Sequence, residues 1–215
     1  MKYNRDVLIK KINGGENLTF IPFWGHTPNP KKVNKACLSQ WYDCRFEVDG
    51  VQYHTTEQYM MAQKAVLFCD MVTCSKIMAA DNPSDYKALG RELQFFEPVA
   101  WDHAKYDIVL KGKLAKFGQN PELWDDLDGT GDSVLVEVSP FDGIWGVKPG
   151  IEDPNQWRGE NLLGFALMEA RDIPRERWEK IGVDNNTRQC YNNVEMVKNH
   201  TQIRKGENDR CLRGY

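Results

Sequence analysis

A carboxylate and an amine stand in this sequence at a spacing that lets them act together. Glu57 and Lys64 lie seven residues apart, with Met60 and Met61 between them. At 3.6 residues per turn, a helix there brings the two within about 20° of the same face. An acid and a primary amine aimed into one cleft can transfer protons and attack an electrophilic carbon. The same spacing also describes a solvated charge pair on an amphipathic helix. A second cluster is Ser139-Pro140-Phe141-Asp142-Gly143-Ile144-Trp145-Gly146, where a carboxylate and an indole share a loop leaving an apolar run. Loops at strand ends often carry function. An Asp that bonds its own turn, followed by a Trp that plugs the core, would produce the same string. In Trp157-Arg158-Gly159-Glu160-Asn161, Gly159 and Asn161 would either expose backbone N–H groups to a phosphate at a helix N-terminus or supply a plain N-cap through Asn161.

The elements that must position these groups are legible in outline. Leu18 to Trp24 reads as a short strand, and Cys44–Val48 and Val51–His54 alternate about Asp49-Gly50, the signature of a type I′ hairpin. Thr55 or Thr56 then caps a helix running to Phe68. Further helices are expected at about 71–80, 84–94, 102–117 and 121–127, several opened by Asp or Asn-Pro starts. Ser133–Val138 reads as a buried strand, and helical spacing resumes from Asn161 to Arg171. Few strands scattered among helices favour α+β, a mostly helical single domain with a small β-sheet, over a doubly wound sheet. The expected division is an N-terminal extension at 1–17, one folded domain at 18–175, and a polar extension at 176–215 that is peripheral or partly disordered.

Charge and composition exclude several classes. With 28 basic against 31 acidic residues the net charge is -3, so there is no general positive field for a nucleic-acid backbone and any such role rests on local recognition. No apolar run approaches the roughly 20 residues that span a bilayer, and nothing reads as a secretion signal. The six cysteines show no Cys-x-x-Cys and read as reduced thiols. A cytoplasmic protein without membrane partners is expected. Phosphate-loop, dinucleotide-binding, His-Glu-x-x-His and Gly-x-Ser-x-Gly motifs are missing, and His26, His54, His103 and His200 stand singly. Neither a metal nor a cofactor is expected. Seven tryptophans and eight tyrosines are many for 215 residues, and part of that set would suit a pocket for a flat ligand.

Six segments fall in one order: Phe23-Trp24; Val51 to Lys64; Leu89-Gly90-Arg91; Lys116 to Asn120; Leu135-Val136-Glu137 with Ser139-Pro140 and Asp142-x-x-Trp145-Gly146; and Trp157-x-Gly159-x-Asn161-Leu162-Leu163-Gly164. Together they resemble the NADAR family, also called YbiA-like, from about Leu18 to Ile173. The resemblance implies an N-glycosidase acting on ribose joined to an amine. Two substrate classes come with it: ADP-ribose on guanine bases, as nucleoside or within DNA or RNA, and phosphoribosylamino-pyrimidine intermediates of riboflavin synthesis. Carried over by position, Lys64, Glu57 and Asp142 would be catalytic, and Trp145, Arg91, Trp101, Gly159, Asn161 and Trp24 would bind substrate.

In both substrate types the exocyclic amine's lone pair can help open the ribose to an imine, with which a lysine amine can exchange. Direct hydrolysis through an oxocarbenium-like state, with Lys64 only binding charge, is the competing route. A non-catalytic module that binds ADP-ribose is the alternative from another class. Lys64 beside two carboxylates favours the enzyme, since a reader needs no nucleophile.

Overall fold

The computed structural model describes residues 1–148 and 153–174. The polar extension expected from residue 176 lies outside the described residues. Two parallel strands form the frame on which the rest is built. Strand β1 (Phe20–Phe23) pairs with β4 (Val134–Glu137), running from Phe20 opposite Val134 to Phe23 opposite Glu137. Val134, Leu135 and Val136 are all buried, the uninterrupted apolar pattern of a parallel strand covered on both faces. Helix α7 (Leu162–Asp172) packs on β4.

The hairpin β2 (Phe46–Val48) and β3 (Val51–Tyr53) turns through Asp49 and Gly50, both at positive φ, as the expected type I′ turn requires. The fold is the expected mostly helical α+β domain with little β-structure; the hairpin does not join the parallel pair, and among the described residues the strands form two two-stranded sheets. The reason is packing: Phe46 and Tyr53 stack on each other and meet Tyr59 edge-on, so the hairpin's apolar face is spent on a helix. That helix, α2 (Thr56–Leu67), is the centre of the molecule. Thr55 Oγ1 caps it by accepting from the Gln58 N–H, and nearly every side chain along it is buried. Helices α3 (Met71–Ala79), α4 (Pro83–Leu89) and α5 (Pro98–Gln119) pack around it.

Two helix boundaries differ from the sequence expectation. Helix α4 stops at Leu89, five residues early, where Gly90 ends it. Helix α5 begins at Pro98 rather than near 102, because the Glu97 carboxylate accepts from the N–H groups of Val99 and Ala100 while Pro98 occupies the first turn, where its missing donor costs nothing. Helix α6 (Pro121–Asp128) follows directly. The first residues form α1 (Arg5–Asn13), which lies against the domain through buried Leu8 and through Arg5, whose guanidinium donates to the carbonyls of Pro154 (2.7 Å) and Asn155 (2.9 Å). Among the described residues, Cys37, Cys44, Cys69 and Cys74 form no disulfide, and no helix is long and apolar enough to cross a membrane.

Candidate active site

A cleft of about 690 Å³ opens beyond the carboxyl ends of β1 and β4 and runs along α2. Trp24 follows β1, Glu137 ends β4, and α2 supplies Glu57, Met60, Met61 and Lys64 to the cleft lining. Four of the tryptophans (Trp24, Trp41, Trp101 and Trp145) line it, so it presents the flat aromatic surfaces anticipated from composition.

Lys64 is half-buried. Its ammonium donates one hydrogen bond, to the Gly90 carbonyl at 2.8 Å, and lies over the rings of Phe96 (4.2 Å) and Trp101 (5.4 Å). No carboxylate is within ion-pair distance of it among the described residues. Burial lowers its pKa, the neighbouring Arg91 charge lowers it further, and Glu57 opposes both. These are the conditions that leave a lysine partly neutral and nucleophilic.

Glu57 is 2% exposed, and its Oε1 has no hydrogen-bond partner. Burial pushes its carboxyl up to about 7, although Lys87 pulls the other way. Glu137 behaves alike: Oε2 is buried and unpartnered, and burial with the nearby Asp142 charge takes the group to about 7. The Asp142 charge raises both groups, and Glu57 raises Glu137 further, so two carboxyls that can exchange protons near neutrality line one cleft, one able to serve as acid and the other as base.

Asp142 is engaged differently. Its Oδ1 accepts from the N–H groups of Ile144 (3.0 Å) and Trp145 (2.9 Å), and Oδ2 faces Lys87 Nζ at 3.4 Å. It lines the cleft, but its lone pairs shape the loop. Trp145 likewise does both jobs that its sequence allowed, lining the cleft while 92% of it is buried in the core (8% exposed).

Gly159 and Asn161, expected to contact substrate, are placed behind the cleft wall. The first N–H groups of α7 are already used: Asn161, Leu162 and Leu163 donate to the carbonyls of Gly146, Ile144 and Trp145, and Glu160 to Gly143. Those donors are spent on the loop and are not offered to a phosphate. Asn161 does not cap α7 through its side chain. It takes a left-handed conformation (φ 56°), and its fully buried amide accepts from Glu137 N–H (3.0 Å) and donates to Leu135 C=O (2.9 Å). A side chain at Gly159 would collide with the backbone carbonyls of Gly146 and Gly143. Both residues therefore hold the Asp142–Gly146 loop against β4. Arg91, Trp101 and Trp24 do line the cleft, and Trp24 is 63% exposed at its rim.

Sequence reasoning missed Glu137, Gln40, Phe96 and two buried lysines. Glu137 reads as the polar end of a strand, and its significance comes from what covers it. Lys113 and Lys116 gave a signal: they fall at helical spacing among Val109, Leu110, Leu114 and Phe117, on the core face of α5. Lys116 Nζ donates to the carbonyls of Cys37 (2.6 Å) and Ser39 (3.1 Å), and Lys113 Nζ to Thr56 Oγ1 (3.0 Å) and Leu38 O (3.3 Å). They fasten the segment Cys37–Ser39 beside the amino end of α2. Among the described residues no group of three His, Cys, Asp or Glu side chains could hold a metal ion.

Residues 22–174 match the model of the NADAR domain. The chain is 41% identical over 157 residues to an N-glycosidase of Acanthamoeba polyphaga mimivirus, covering 68% of this chain and 92% of that one. It is 30% identical over 160 residues to a riboflavin biosynthesis protein of Vibrio vulnificus, covering 74% of this chain and 40% of the other. The solution structure of Escherichia coli YbiA superposes with a TM-score of 0.59 at 27% identity, covering 79% of this chain and 91% of that one.

Proposed function

The chain belongs to the NADAR domain family and is an N-glycosidase; from that premise we propose that it releases ADP-ribose from the exocyclic amine of guanine, in a nucleoside or in nucleic acid. One observation carries the reading: Lys64, an amine with no ion-pair partner among the described residues, shares a cleft and a helix face with a carboxyl group poised near neutrality. The volume of the cleft, about 690 Å³, with Arg91 beside Lys64 and four tryptophans in its lining, suits a dinucleotide-sized glycosyl group.

The reaction follows from these groups. The amine's lone pair forms a C=N bond to ribose C1 as the ring C–O bond breaks, and the carboxyl acid of the Glu57–Glu137 pair protonates the departing ring oxygen. Neutral Lys64 adds to C1, and its proton passes through the carboxylate to the nitrogen of the base. That nitrogen leaves with the C–N electron pair, and C1 is left as an iminium on Lys64. Water, deprotonated by the carboxylate, adds to C1; loss of the lysine amine frees the sugar aldehyde, which closes to the hemiacetal. Asp142 sets the loop and the local field. Trp145 and Trp24 shield and stack.

A second reading, hydrolysis of a phosphoribosylamino-pyrimidine, is favoured by the likeness to the Vibrio vulnificus protein. Offering the purified chain an ADP-ribosylated guanine oligonucleotide and a phosphoribosylamino-uracil in parallel tests both. Release of ADP-ribose at a rate at least tenfold above release of ribose phosphate is the expected result. The opposite order contradicts the guanine assignment.

A further inference from the structure

The cleft has a polarity along α2 that the reaction alone does not fix. At the Lys64 end stand the cation Arg91 and the rings of Phe96 and Trp101. At the other end, about 10 Å away by helix rise, stand Glu57, Gln40 and Trp41. Gln40 is 6% exposed and lines the cleft, yet its Oε1 has no partner; its Nε2 meets only Met60 Sδ, at 3.8 Å. It is locked to the amino end of α2, since its backbone carbonyl accepts from Glu57 N–H (3.0 Å) and Thr56 Oγ1 (3.3 Å). Two buried orphan acceptors, Gln40 Oε1 and Glu57 Oε1, therefore sit on neighbouring parts of one wall. A buried acceptor left without a donor is costly, so the site is built for a ligand that brings donors.

On the far side of Trp41 lies a second cavity of about 300 Å³, which shares His26 and Trp41 with the cleft and adds Asp43, His54, Asp81 and Tyr86. His26 leans on Trp41, with ring centroids 5.4 Å apart. Two carboxylates make this chamber hostile to phosphate and receptive to N–H and O–H groups. The diphosphate thus belongs at the Arg91 end, and the leaving base at the other.

We propose that Gln40 determines specificity for the leaving base: its Oε1 accepts the lactam N–H of an amino-lactam heterocycle whose neighbouring exocyclic amine faces Glu57, while Trp41 stacks on the ring. This rests on the substrate reading above. In guanine the two donors are N1–H and the exocyclic N–H, on one edge, and they suit the two unpartnered acceptors that Gln40 and Glu57 bring to the cleft.

The test measures binding of guanosine, 1-methylguanosine and free ADP-ribose to the full chain and to Gln40→Leu, together with turnover of ADP-ribosyl-guanosine. Wild type is expected to bind guanosine at least tenfold more tightly than 1-methylguanosine. Gln40→Leu should lose that preference and raise KM, while ADP-ribose affinity changes by less than about twofold. The 1-methylguanosine comparison needs no variant, so misfolding of Gln40→Leu cannot rescue the idea. Equal binding of the two nucleosides by a wild type that turns over its substrate overturns the Gln40 assignment alone, as does a Gln40→Leu protein that loses ADP-ribose instead. A wild type that neither binds guanosine nor releases ADP-ribose overturns both this inference and the substrate reading.

Discussion

Glu57 and Asp142, both carboxylates lining one cleft, differ in which lone pairs are free. Asp142 Oδ1 is committed to two backbone N–H groups, whereas Glu57 Oε1 and Glu137 Oε2 are buried and unpartnered. In the proposed mechanism, proton transfer therefore falls to the glutamates. Glu57→Gln should lower kcat by about 10²-fold or more with folding retained, and Glu137→Gln should do so comparably. Asp142→Asn, which keeps an oxygen for the turn, should lose less than about tenfold; parallel steady-state kinetics would show the order. With both glutamates pushed up to about 7, kcat/KM should follow a bell centred near neutrality: its acid limb reports loss of the base and its alkaline limb loss of the acid. Glu57→Gln should erase one limb, and an unchanged bell would contradict the pairing. At this scale Glu57 and Lys64 were readable because helix geometry is a property of spacing. Glu137 and Gln40 were not, because burial and a missing partner arise only when β4, α2 and the segment Cys37–Trp41 meet.

At the scale of elements, the Asp142–Gly146 loop works because α7 begins under it. The first N–H groups of the helix end on the loop's carbonyls, and Asn161 ties the same helix to β4. Asn161→Ala strips partners from a buried N–H and a buried C=O, and should cost about 2–5 kcal/mol in urea unfolding. Asn161→Asp keeps the acceptor but sets a buried carboxylate oxygen against the Leu135 carbonyl, so it should not restore stability at neutral pH. An Asn161→Ala protein as stable as wild type would mean that the two bonds carry nothing. The sequence revealed α2, the hairpin and the buried run of β4, since each depends on local period and turn chemistry. It did not reveal that the hairpin packs on α2 apart from β1 and β4, or that Asn161 bonds sideways rather than forward along its helix. Those are matters of tertiary contact. The early start of α5 was written in Glu97-Pro98, a cap followed by a first-turn proline.

For the whole molecule, keeping raised carboxyls in the interior makes stability depend on pH. A folded pKa of about 7 against an ordinary 4.5 for Glu57 means that the folded state holds its proton where the unfolded chain has lost it. Stability is therefore fully present below about pH 4.5 and is lost as pH rises through about 7. For Glu57 alone the loss is of the order of 3 kcal/mol at 1.36 kcal/mol per unit. Glu57→Gln should thus be more stable than wild type at pH 8.5 and show little advantage at pH 4.5, as thermal melts at the two pH values would reveal. Because the cleft is lined from residues 24–145, removing residues 185–215 should leave hydrolysis of ADP-ribosyl-guanosine nearly unchanged. Loss of that activity in a folded truncation would move the domain boundary. The central claim is that the sugar passes through a covalent imine on Lys64. Borohydride added during turnover of ADP-ribosyl-guanosine, followed by peptide mass spectrometry, should find a reduced sugar adduct on Lys64 and on no other lysine, and Lys64→Arg should be inactive because guanidinium stays protonated. Full turnover by Lys64→Ala, or wild-type turnover that leaves no adduct, would contradict it.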